Sequence, residues 1–360
     1  MAEGSLNTIL DQPGRMSDSK GQSIFESLRQ FGHQLRSGPS LAASLESQPL
    51  EDVTSVVYCG LGGSAIAGDL LQAVLGDSLS LPWLVHRDYG LPAFAGPGTL
   101  ALVSSYSGDT EETLDAFRIA RRRGCSMVCV SSGGRLLREA KRHDIPRIQL
   151  PSGLAPRNSL GFALSSLLSG LHRLGLTPDP GPSLQEAADA AAQRARRLGL
   201  DTPLKENPAK HLARRLQGRM VIIYGSAGLT FPVARRWRGQ INENSKQLAW
   251  AADLPEMNHN EVAGWEHPSE MLKQVAAVFL RDQDEHPRIA KRFDITRRYI
   301  QDKAGDTLEC DGVGGSRLDR MLSLVQLVDW ASVYLAILND ADPESIEAID
   351  SLKQRMQEDD

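Results

Sequence analysis

The sequence predicts an α/β protein built from two doubly wound, mostly parallel-sheet domains, each with a three-layer αβα arrangement. Short β-rich apolar runs alternate with amphipathic helical patterns, which is typical of parallel sheets covered by helices on both faces. The segment RMVIIYGSAGLTFPVARRWRGQI (219–241) parallels TSVVYCGLGGSAIAGDLLQAVL (54–75), because each is an apolar strand, a small-residue turn and a helix. A length of 360 residues also suits two domains better than one.

The first half alternates strands and helices. A flexible tail is expected over residues 1–20, which are rich in Ser, Gly, Asp and Lys. The N-terminal domain, residues 21–176, opens with the helical pattern SIFESLRQFGHQL. It continues with the predicted strands SVVYC, WLVH, TLALVS and SMVCVSS and the predicted helices AIAGDLLQAVL and TEETLDAFRIARRRG. The Pro- and Gly-rich stretch LTPDPGPS then marks the domain boundary.

The C-terminal domain is expected over residues 183–360. After the strand and helix of RMVIIYGSAGLTFPVARRWRGQI come the predicted strands VAAVFL and TLEC, a helix around RIAKRFDITRRYI and a long apolar helix in SRLDRMLSLVQLVDWASVYLAIL. The closing segment DPESIEAIDSLKQRM predicts one more helix, with Asp342 as its N-cap and Pro343 in its first turn.

Composition and charge exclude several classes of protein. The net charge is -5 at pH 7 and the basic residues form no tract, so the footprint of a nucleic-acid-binding protein is missing. The apolar run LVQLVDWASVYLAIL contains Asp329 and is too short to span a bilayer, and the N-terminus lacks the apolar stretch of a signal peptide. We therefore expect a cytoplasmic protein with no nucleic-acid or membrane partner.

The four cysteines are interpreted as small core residues. They lie in apolar runs with a strand-like pattern and form no CxxC pair. Disulfide bonds and a thiolate metal site are therefore disfavoured for Cys59, Cys125, Cys129 and Cys310.

A Gly-rich turn, CGLGGSAIAGD (59–69), joins a predicted buried strand to a helix. Free backbone N–H groups and the positive end of the helix dipole favour an anion at such a turn. The spacing is G-x-G-G-S rather than G-x-G-x-x-G, and the next strand ends in WLVHRDYG, where Asp88 comes too late to bind a ribose. A nucleotide cofactor is thus disfavoured, and no Walker sequence occurs.

A hydroxyl-rich stretch, SSYSGDTEET (104–113), directly follows the predicted strand TLALVS. Ligands of parallel sheets bind at the carboxyl ends of strands, where this stretch and the Gly-rich turn are both expected to lie. The hydroxyls could simply cap a helix, with Asp109 or Thr110 in that role. Because one capping residue would suffice and the run supplies several hydroxyls, we favour a phosphate site.

Five motifs together resemble the bifunctional phosphoglucose/phosphomannose isomerase family: GLGGSAIAGD, SYSGDTEET, PRNSLGF, NENSK and PEMNHNE. They occur in the family's order from about residue 50 to residue 355. The resemblance implies two sugar-isomerase (SIS) domains, an enzyme of glycolysis and gluconeogenesis, and no cofactor. Asp109 departs from the Asn that many members carry, and we expect it to cap the following helix rather than touch a ligand.

The resemblance also implies site residues. It implies that the phosphate is bound by Ser105, Ser107 and Thr110. The sugar side of the site would be lined by Gly62, Gly63 and Ser64. Arg157 of PRNSLGF matches the arginine beside the reacting carbons, Glu243 of NENSK the catalytic base, His259 of PEMNHNE the ring-opening histidine, and Lys353 the lysine near the C-terminus. In the family the histidine enters the site of the partner subunit, so a homodimer with shared active sites is expected.

These residue types suit aldose–ketose isomerisation. The reaction opens a ring and moves a proton between C1 and C2 through a cis-enediol, so it requires a base for carbon, an acid/base for oxygen and a cation near the developing charge. Glucose 6-phosphate and mannose 6-phosphate differ only at C2 and give the same enediol. One base, Glu243, can therefore serve both substrates on the way to fructose 6-phosphate.

Other interpretations stay open at this stage. A metal site is disfavoured because the spacing of His259, Glu261, Glu266 and His267 is not H-E-x-x-H. A non-catalytic phosphosugar sensor would keep the phosphate loop without needing Glu243 or His259. Another phosphosugar isomerase of the SIS class is the third possibility, although the cysteine nucleophile domain of an amidotransferase is not seen in the sequence.

Overall fold

In the computed structural model, two parallel sheets organise the described residues, which are 9–17, 21–45 and 49–358. The first sheet has the strand order β2-β1-β3-β4-β5, with β1 (Ser55–Cys59), β2 (Trp83–His86), β3 (Thr99–Ser104), β4 (Ser126–Ser131) and β5 (Arg147–Gln149). The second has the order β7-β6-β8-β9, with β6 (Met220–Ser226), β7 (Ala249–Leu254), β8 (Val275–Asp282) and β9 (Asp306–Gly312). The predicted α/β class is confirmed.

Helices connect the strands of the first half and precede them. They are α1 (Pro13–Ser17), α2 (Gln22–Arg29), α3 (Phe31–Ala42), α4 (Gly62–Leu75), α5 (Glu111–Arg122), α6 (Gly134–Arg142) and α7 (Leu160–Arg173). The helical pattern SIFESLRQFGHQL gives two helices rather than one, since the chain breaks at Gln30.

The helices of the second half are α8 (Gly181–Leu198), α9 (Pro208–Leu216), α10 (Phe231–Ser245), α11 (Ser269–Leu272), α12 (Pro287–Ile300), α13 (Arg317–Leu338) and α14 (Glu347–Glu358). Of the described helices, α13 is the one long and apolar enough to cross a membrane, and it is almost entirely buried inside the fold. Its composition is accounted for by its position, because it packs against α8, α9 and α10.

One hydrophobic cluster extends through both halves. It includes Leu102 of β3, Leu164 of α7, Leu212 of α9 and Tyr334 of α13. Helix α8 contacts both α3 and α13, so the two sheets are joined by a continuous helical layer. Smaller clusters lie on the other face of each sheet. Cys59, Cys129 and Cys310 are buried in these cores, as predicted, and Cys125 is partly buried.

The N-terminal segment differs from the predicted loose tail over residues 9–17. Leu10 and Met16 are fully buried, and the Lys210 ammonium donates to the Leu10 carbonyl at 2.6 Å. The Asp11 carboxylate accepts from the Leu204 N–H at 2.7 Å. This part of the tail is therefore held by the second half of the chain, which its polar composition did not reveal. The rest of the predicted tail, residues 1–8 and 18–20, lies outside the described residues.

The last helix starts later than predicted. Helix α14 begins at Glu347, so neither Asp342 nor Pro343 belongs to its first turn. The carbonyls of the preceding segment accept from side chains elsewhere in the fold: Pro343 from Arg157, and Asp342 and Ser345 from Lys246. These contacts hold residues 342–345 in a non-helical conformation.

Candidate active site

The two motifs predicted to bind an anion lie side by side. Strands β1 and β3 are adjacent and parallel in the first sheet, so the Gly-rich turn after β1 and the hydroxyl-rich loop after β3 reach the same edge. A hydrogen bond joins them, because the Tyr106 N–H donates to Ser64 Oγ at 3.0 Å. The convergence at this edge is confirmed.

Glycine is required where the turn approaches a second segment of the site. Helix α4 starts at Gly62, whose φ of +50° favours glycine, and no side chain caps this helix start. A Cβ added at Gly63 would lie 3.0 Å from the backbone nitrogen of Arg157. The turn therefore packs closely on the PRNSLGF segment, and its uncapped N–H groups are available to an anion.

The hydroxyl-rich loop forms a small network ahead of α5. Ser105 Oγ lies 2.8 Å from Thr110 Oγ1 and accepts from the Gly108 N–H at 3.1 Å. Ser107 is exposed, and its Oγ accepts from the Asp109 N–H. Tyr106 anchors the loop from below, since its hydroxyl donates to the Pro151 carbonyl and accepts from the Leu154 N–H. Three hydroxyls thus sit at one helix start, where a phosphate is electrostatically favoured.

Helix capping does not explain these hydroxyls. Thr110 occupies the N-cap position of α5 without a capping hydrogen bond from its side chain. The expectation that Asp109 caps this helix is wrong, because its carboxylate accepts from the backbone N–H and the guanidinium of Arg135 at the start of α6. The Asp109 charge is directed toward Arg135 and is partly offset there.

Arg157 and Glu243 meet at the interface of the two halves. One guanidinium nitrogen of Arg157, Nη1, lies 3.3 Å from Glu243 Oε2. The Arg157 side chain is only 6% exposed, whereas 33% of the Glu243 side chain is exposed. A buried cation therefore faces a carboxylate that solvent or a ligand can reach, and the backbone of the arginine packs on the Gly63 turn.

Burial has the largest effect on the pKa values of Arg157 and Lys246. It lowers the pKa of Arg157, while the nearby Glu243 carboxylate acts to raise it. Burial also lowers the pKa of Lys246, with the positive charge of Arg157 acting in the same direction. Lys246 donates to the Glu243 carbonyl at 2.5 Å, so it supports the backbone under the carboxylate.

Two predicted residues make no hydrogen bond or ion pair with this centre in the described part of the chain. His259 is exposed in a short 3-10 helix, Glu256–His259, that follows β7. Lys353 is exposed on α14. In the described part of the chain, neither side chain has a hydrogen bond or ion pair with Arg157 or Glu243.

The carboxylates near His259 already have partners. Glu261 accepts from the Tyr224 hydroxyl at 2.7 Å, and Glu266 accepts from Tyr299 and Lys303. Across the residues that the structure describes, no group of three His, Cys, Asp or Glu side chains is placed to hold a metal ion.

Two residues of the NENSK motif were missed by the reading of the sequence. Asn244 is fully buried and accepts from Arg157 Nε at 2.9 Å, and Lys246 holds the segment that precedes α14. Both residues belong to the same motif as Glu243, which is the signal that could have indicated them. Their roles could not be predicted because their partners Arg157, Asp342 and Ser345 lie far away in the sequence.

The fold and this geometry define a two-domain protein of the sugar-isomerase class. A solved structure, a glucose-6-phosphate isomerase-like protein from Thermus thermophilus, aligns with a TM-score of 0.61 over 94% of this chain and 99% of the other, at 19% identity. The family model described as the bacterial phospho-glucose isomerase C-terminal SIS domain matches residues 205–356.

Sequence relatives identify the family within the sugar-isomerase class. The bifunctional phosphoglucose/phosphomannose isomerase of Caldicellulosiruptor bescii is 38% identical over 93% of this chain and 99% of its own length. The protein of the same name from Aquifex aeolicus is 37% identical over 86% of this chain and 92% of its own. The chain belongs to the bifunctional phosphoglucose/phosphomannose isomerase family, which confirms the resemblance of its motifs.

Proposed function

We propose that the protein interconverts glucose 6-phosphate and mannose 6-phosphate with fructose 6-phosphate through a cis-enediol. The observation that carries the proposal is the buried Arg157 guanidinium, 3.3 Å from the partly exposed Glu243 carboxylate, on a residue whose backbone packs on the Gly63 turn. A phosphate-binding sensor would have no need of such a pair. Family membership supports the same reaction.

The phosphate group is expected at the hydroxyl-rich loop. Ser105, Ser107 and Thr110 offer hydroxyl groups at the start of α5, and the helix dipole favours negative charge there. Gly62, Gly63 and Ser64 at the start of α4 line the neighbouring side of the site. A substrate held between these two helix starts reaches toward Arg157, because Gly63 packs on the backbone of that residue.

The reacting carbons are expected between Arg157 and Glu243. The Glu243 carboxylate takes the proton from C2 of either aldose and returns it to C1, which is the role of a general base followed by a general acid. Arg157 stabilises the negative charge that develops on the enediol oxygens, and its burial strengthens that interaction. No step needs a metal or an organic cofactor.

His259 is expected to reach the site of a partner subunit in a homodimer, and Lys353 is the predicted site residue on α14. Both are exposed in the single chain. Apolar side chains are exposed on the elements that precede or carry them: Trp250 on the edge strand β7, which precedes His259, and Leu352 and Met356 on α14, which carries Lys353. A second copy covering these surfaces would bury apolar area and complete the site with an acid/base for ring opening.

The reaction is tested with purified protein and each aldose phosphate in separate coupled assays that detect fructose 6-phosphate. In a third arm, fructose 6-phosphate is incubated in D₂O, and mass spectrometry follows deuterium at C1. Proton transfer by Glu243 predicts turnover of both aldoses and deuterium uptake. Deuterium uptake would support proton transfer through an enediol, turnover without uptake would mean that the base returns the proton before it exchanges with solvent, and no turnover of either aldose would refute the function.

The shared site is tested by complementation. Glu243→Gln and His259→Ala chains are each expected to be inactive, and a mixture is expected to regain activity through hybrid dimers with one intact site. Light scattering at the assay concentration reports the assembly. A fully active monomer, or a mixture as inactive as its components although hybrids form, would refute sharing.

A further inference from the structure

The contacts of Arg157 are mostly uncharged. Its Nε donates to Asn244 Oδ1 at 2.9 Å, and its Nη2 donates to the Pro343 carbonyl at 2.7 Å. Among the contacts of the described residues, Glu243 is the single carboxylate within ion-pair distance of the guanidinium. The positive charge is therefore oriented by neutral acceptors and left available to groups in the site.

The orientation of the Asn244 amide follows from its other neighbours. Asn244 Nδ2 donates to Ser332 Oγ at 2.9 Å, and the Ser332 hydroxyl donates to the Asp329 carbonyl at 2.7 Å. Because the single hydroxyl hydrogen is used in the second bond, Ser332 Oγ can only accept from the amide. The NH₂ group thus faces Ser332, and the carbonyl oxygen faces Arg157.

The buried carboxylate linked to this hydrogen-bond network is already paired with an arginine. The Asp329 carboxylate accepts hydrogen bonds from two nitrogens of Arg236, including Nη2 at 2.7 Å, and from the Gln240 amide. Arg236 Nη2 donates in turn to the Arg157 carbonyl at 2.9 Å, which fixes the backbone beneath the catalytic guanidinium. Asp329 therefore supports Arg157 through Arg236 without reducing its charge.

We infer that Asn244 is a positioning residue that holds the Arg157 guanidinium through an uncharged, uniquely oriented acceptor. Asn244 itself is fully buried and lies next to Glu243 on α10, so its side chain reaches Arg157 and not the substrate. A carboxylate here would orient the guanidinium equally well but would also offset its charge. The inference rests on the proposed function, since that charge matters only if an anionic intermediate forms.

The test compares Asn244→Asp with Asn242→Asp. Both changes add one negative charge next to Glu243 on α10, but Asn242 is exposed and accepts from the Ala249 N–H instead. For Asn244→Asp we expect kcat on both aldoses to fall about 10- to 100-fold, with KM changed by less than about threefold. The Asn242→Asp variant is expected to keep kcat within about twofold.

The pH profile separates an electrostatic role from a merely structural one. Arg236 and Glu344 are further charges that act on Arg157, and Asp342 and Glu347 act on the neighbouring Lys246; all are unchanged in the variant. An extra negative charge beside the base favours its protonated form, so the acidic limb of kcat/KM is expected at higher pH in Asn244→Asp. The limb is expected to stay in place in Ser332→Ala, where kcat falls about three- to tenfold because the amide can turn.

The outcomes are distinct. An active wild type with an Asn244→Asp variant that folds and keeps kcat within about threefold would overturn the inference alone. If that variant does not fold by circular dichroism, an unchanged kcat in Ser332→Ala overturns it. An inactive wild type would refute the proposed function and the inference together.

Discussion

The two halves of the molecule share a parallel sheet but use its carboxyl edge differently. In the first half, β1 lies beside β3, and in the second half β6 lies beside β8 in the same parallel arrangement. Hydroxyl groups follow β3, whereas β8 ends in acidic residues that are locked in ion pairs. The same backbone geometry therefore supports an anion site in one half and a structural network in the other.

The acidic side chains at the edge of the second sheet are held in ion pairs with arginines. Asp282 and Asp284 both accept from Arg320, at 2.6 Å each, and Glu285 pairs with Arg281 at 2.5 Å. The two arginines are largely buried. Negative charge fixed at this edge disfavours a phosphate, and the arginines that could attract one are already paired.

The helix starts differ in the same way. No side chain caps either α4 or α10, but in the second half the hydroxyl of Thr230, at the start of α10, closes the preceding turn onto neighbouring strands. Its Oγ1 accepts from the Ser226 N–H at 2.7 Å and donates to the Leu280 carbonyl at 2.9 Å. The second half instead contributes at the opposite end of α10, where Glu243, Asn244 and Lys246 lie. One half is suited to bind the substrate and the other to act on it.

Glu243→Gln is expected to have the largest effect on this division of roles. The amide keeps the size of the side chain but cannot accept a proton from carbon, so kcat should fall about 100- to 10,000-fold on both aldose phosphates. Affinity for fructose 6-phosphate, measured by calorimetry, should change by less than about threefold. Glu270→Gln, at an exposed position of the same half, is the control. Near-normal kcat on either aldose would show that the second half does not supply a common base.

Ser105→Ala tests the binding half. Hydrogen bonds to a charged group contribute about 1.5–3 kcal/mol, so KM should rise about 10- to 100-fold. Because Ser105 is remote from the reacting carbons in the proposed site, kcat should stay within about threefold. Steady-state kinetics with each substrate measures both values, and thermal unfolding checks the fold. A loss confined to kcat would place Ser105 elsewhere in the reaction.

Thr230→Val is the matching change in the second half. Valine keeps the shape but leaves the buried Ser226 N–H and Leu280 carbonyl without their partner, so the free energy of unfolding should fall by about 1–3 kcal/mol. KM for both substrates should stay within about twofold. Denaturant unfolding and kinetics on the same sample provide the comparison. A rise in KM like that expected for Ser105→Ala would mean that the second edge also binds substrate.

Asp109→Asn is expected to have the smallest effect. The side chain is exposed and pairs with Arg135, so stability should change by less than about 1 kcal/mol. Removing a negative charge close to the proposed phosphate should lower KM by less than about threefold at low salt, and the difference should disappear as salt rises. A higher KM in Asp109→Asn would indicate that the carboxylate itself contacts the substrate.

Local patterns predicted much of the fold. The strands SVVYC, WLVH and TLALVS match β1, β2 and β3, because each apolar run is short and bounded by turn residues. The edge strand β7 was not predicted, since AWAADL mixes small and acidic residues. The start of α14 was predicted too early because Asp342 and Pro343 suit a helix start locally, while side chains from distant segments hold their carbonyls.

The sequence by itself determined the parallel α/β class, the convergence of the Gly-rich turn and the hydroxyl-rich loop, and the identity of the candidate catalytic residues. The class and the convergence follow from short-range patterns and from the position of strand ends, and the candidate catalytic residues follow from the resemblance of the motifs to the family. Only the tertiary structure decided that Arg157 meets Glu243, that Asn244, 87 residues along the chain from Arg157, orients its guanidinium, and that residues 9–17 are held by Lys210. Such contacts depend on how α10 packs between the halves, and burial gives them their strength because water no longer competes for the same donors and acceptors.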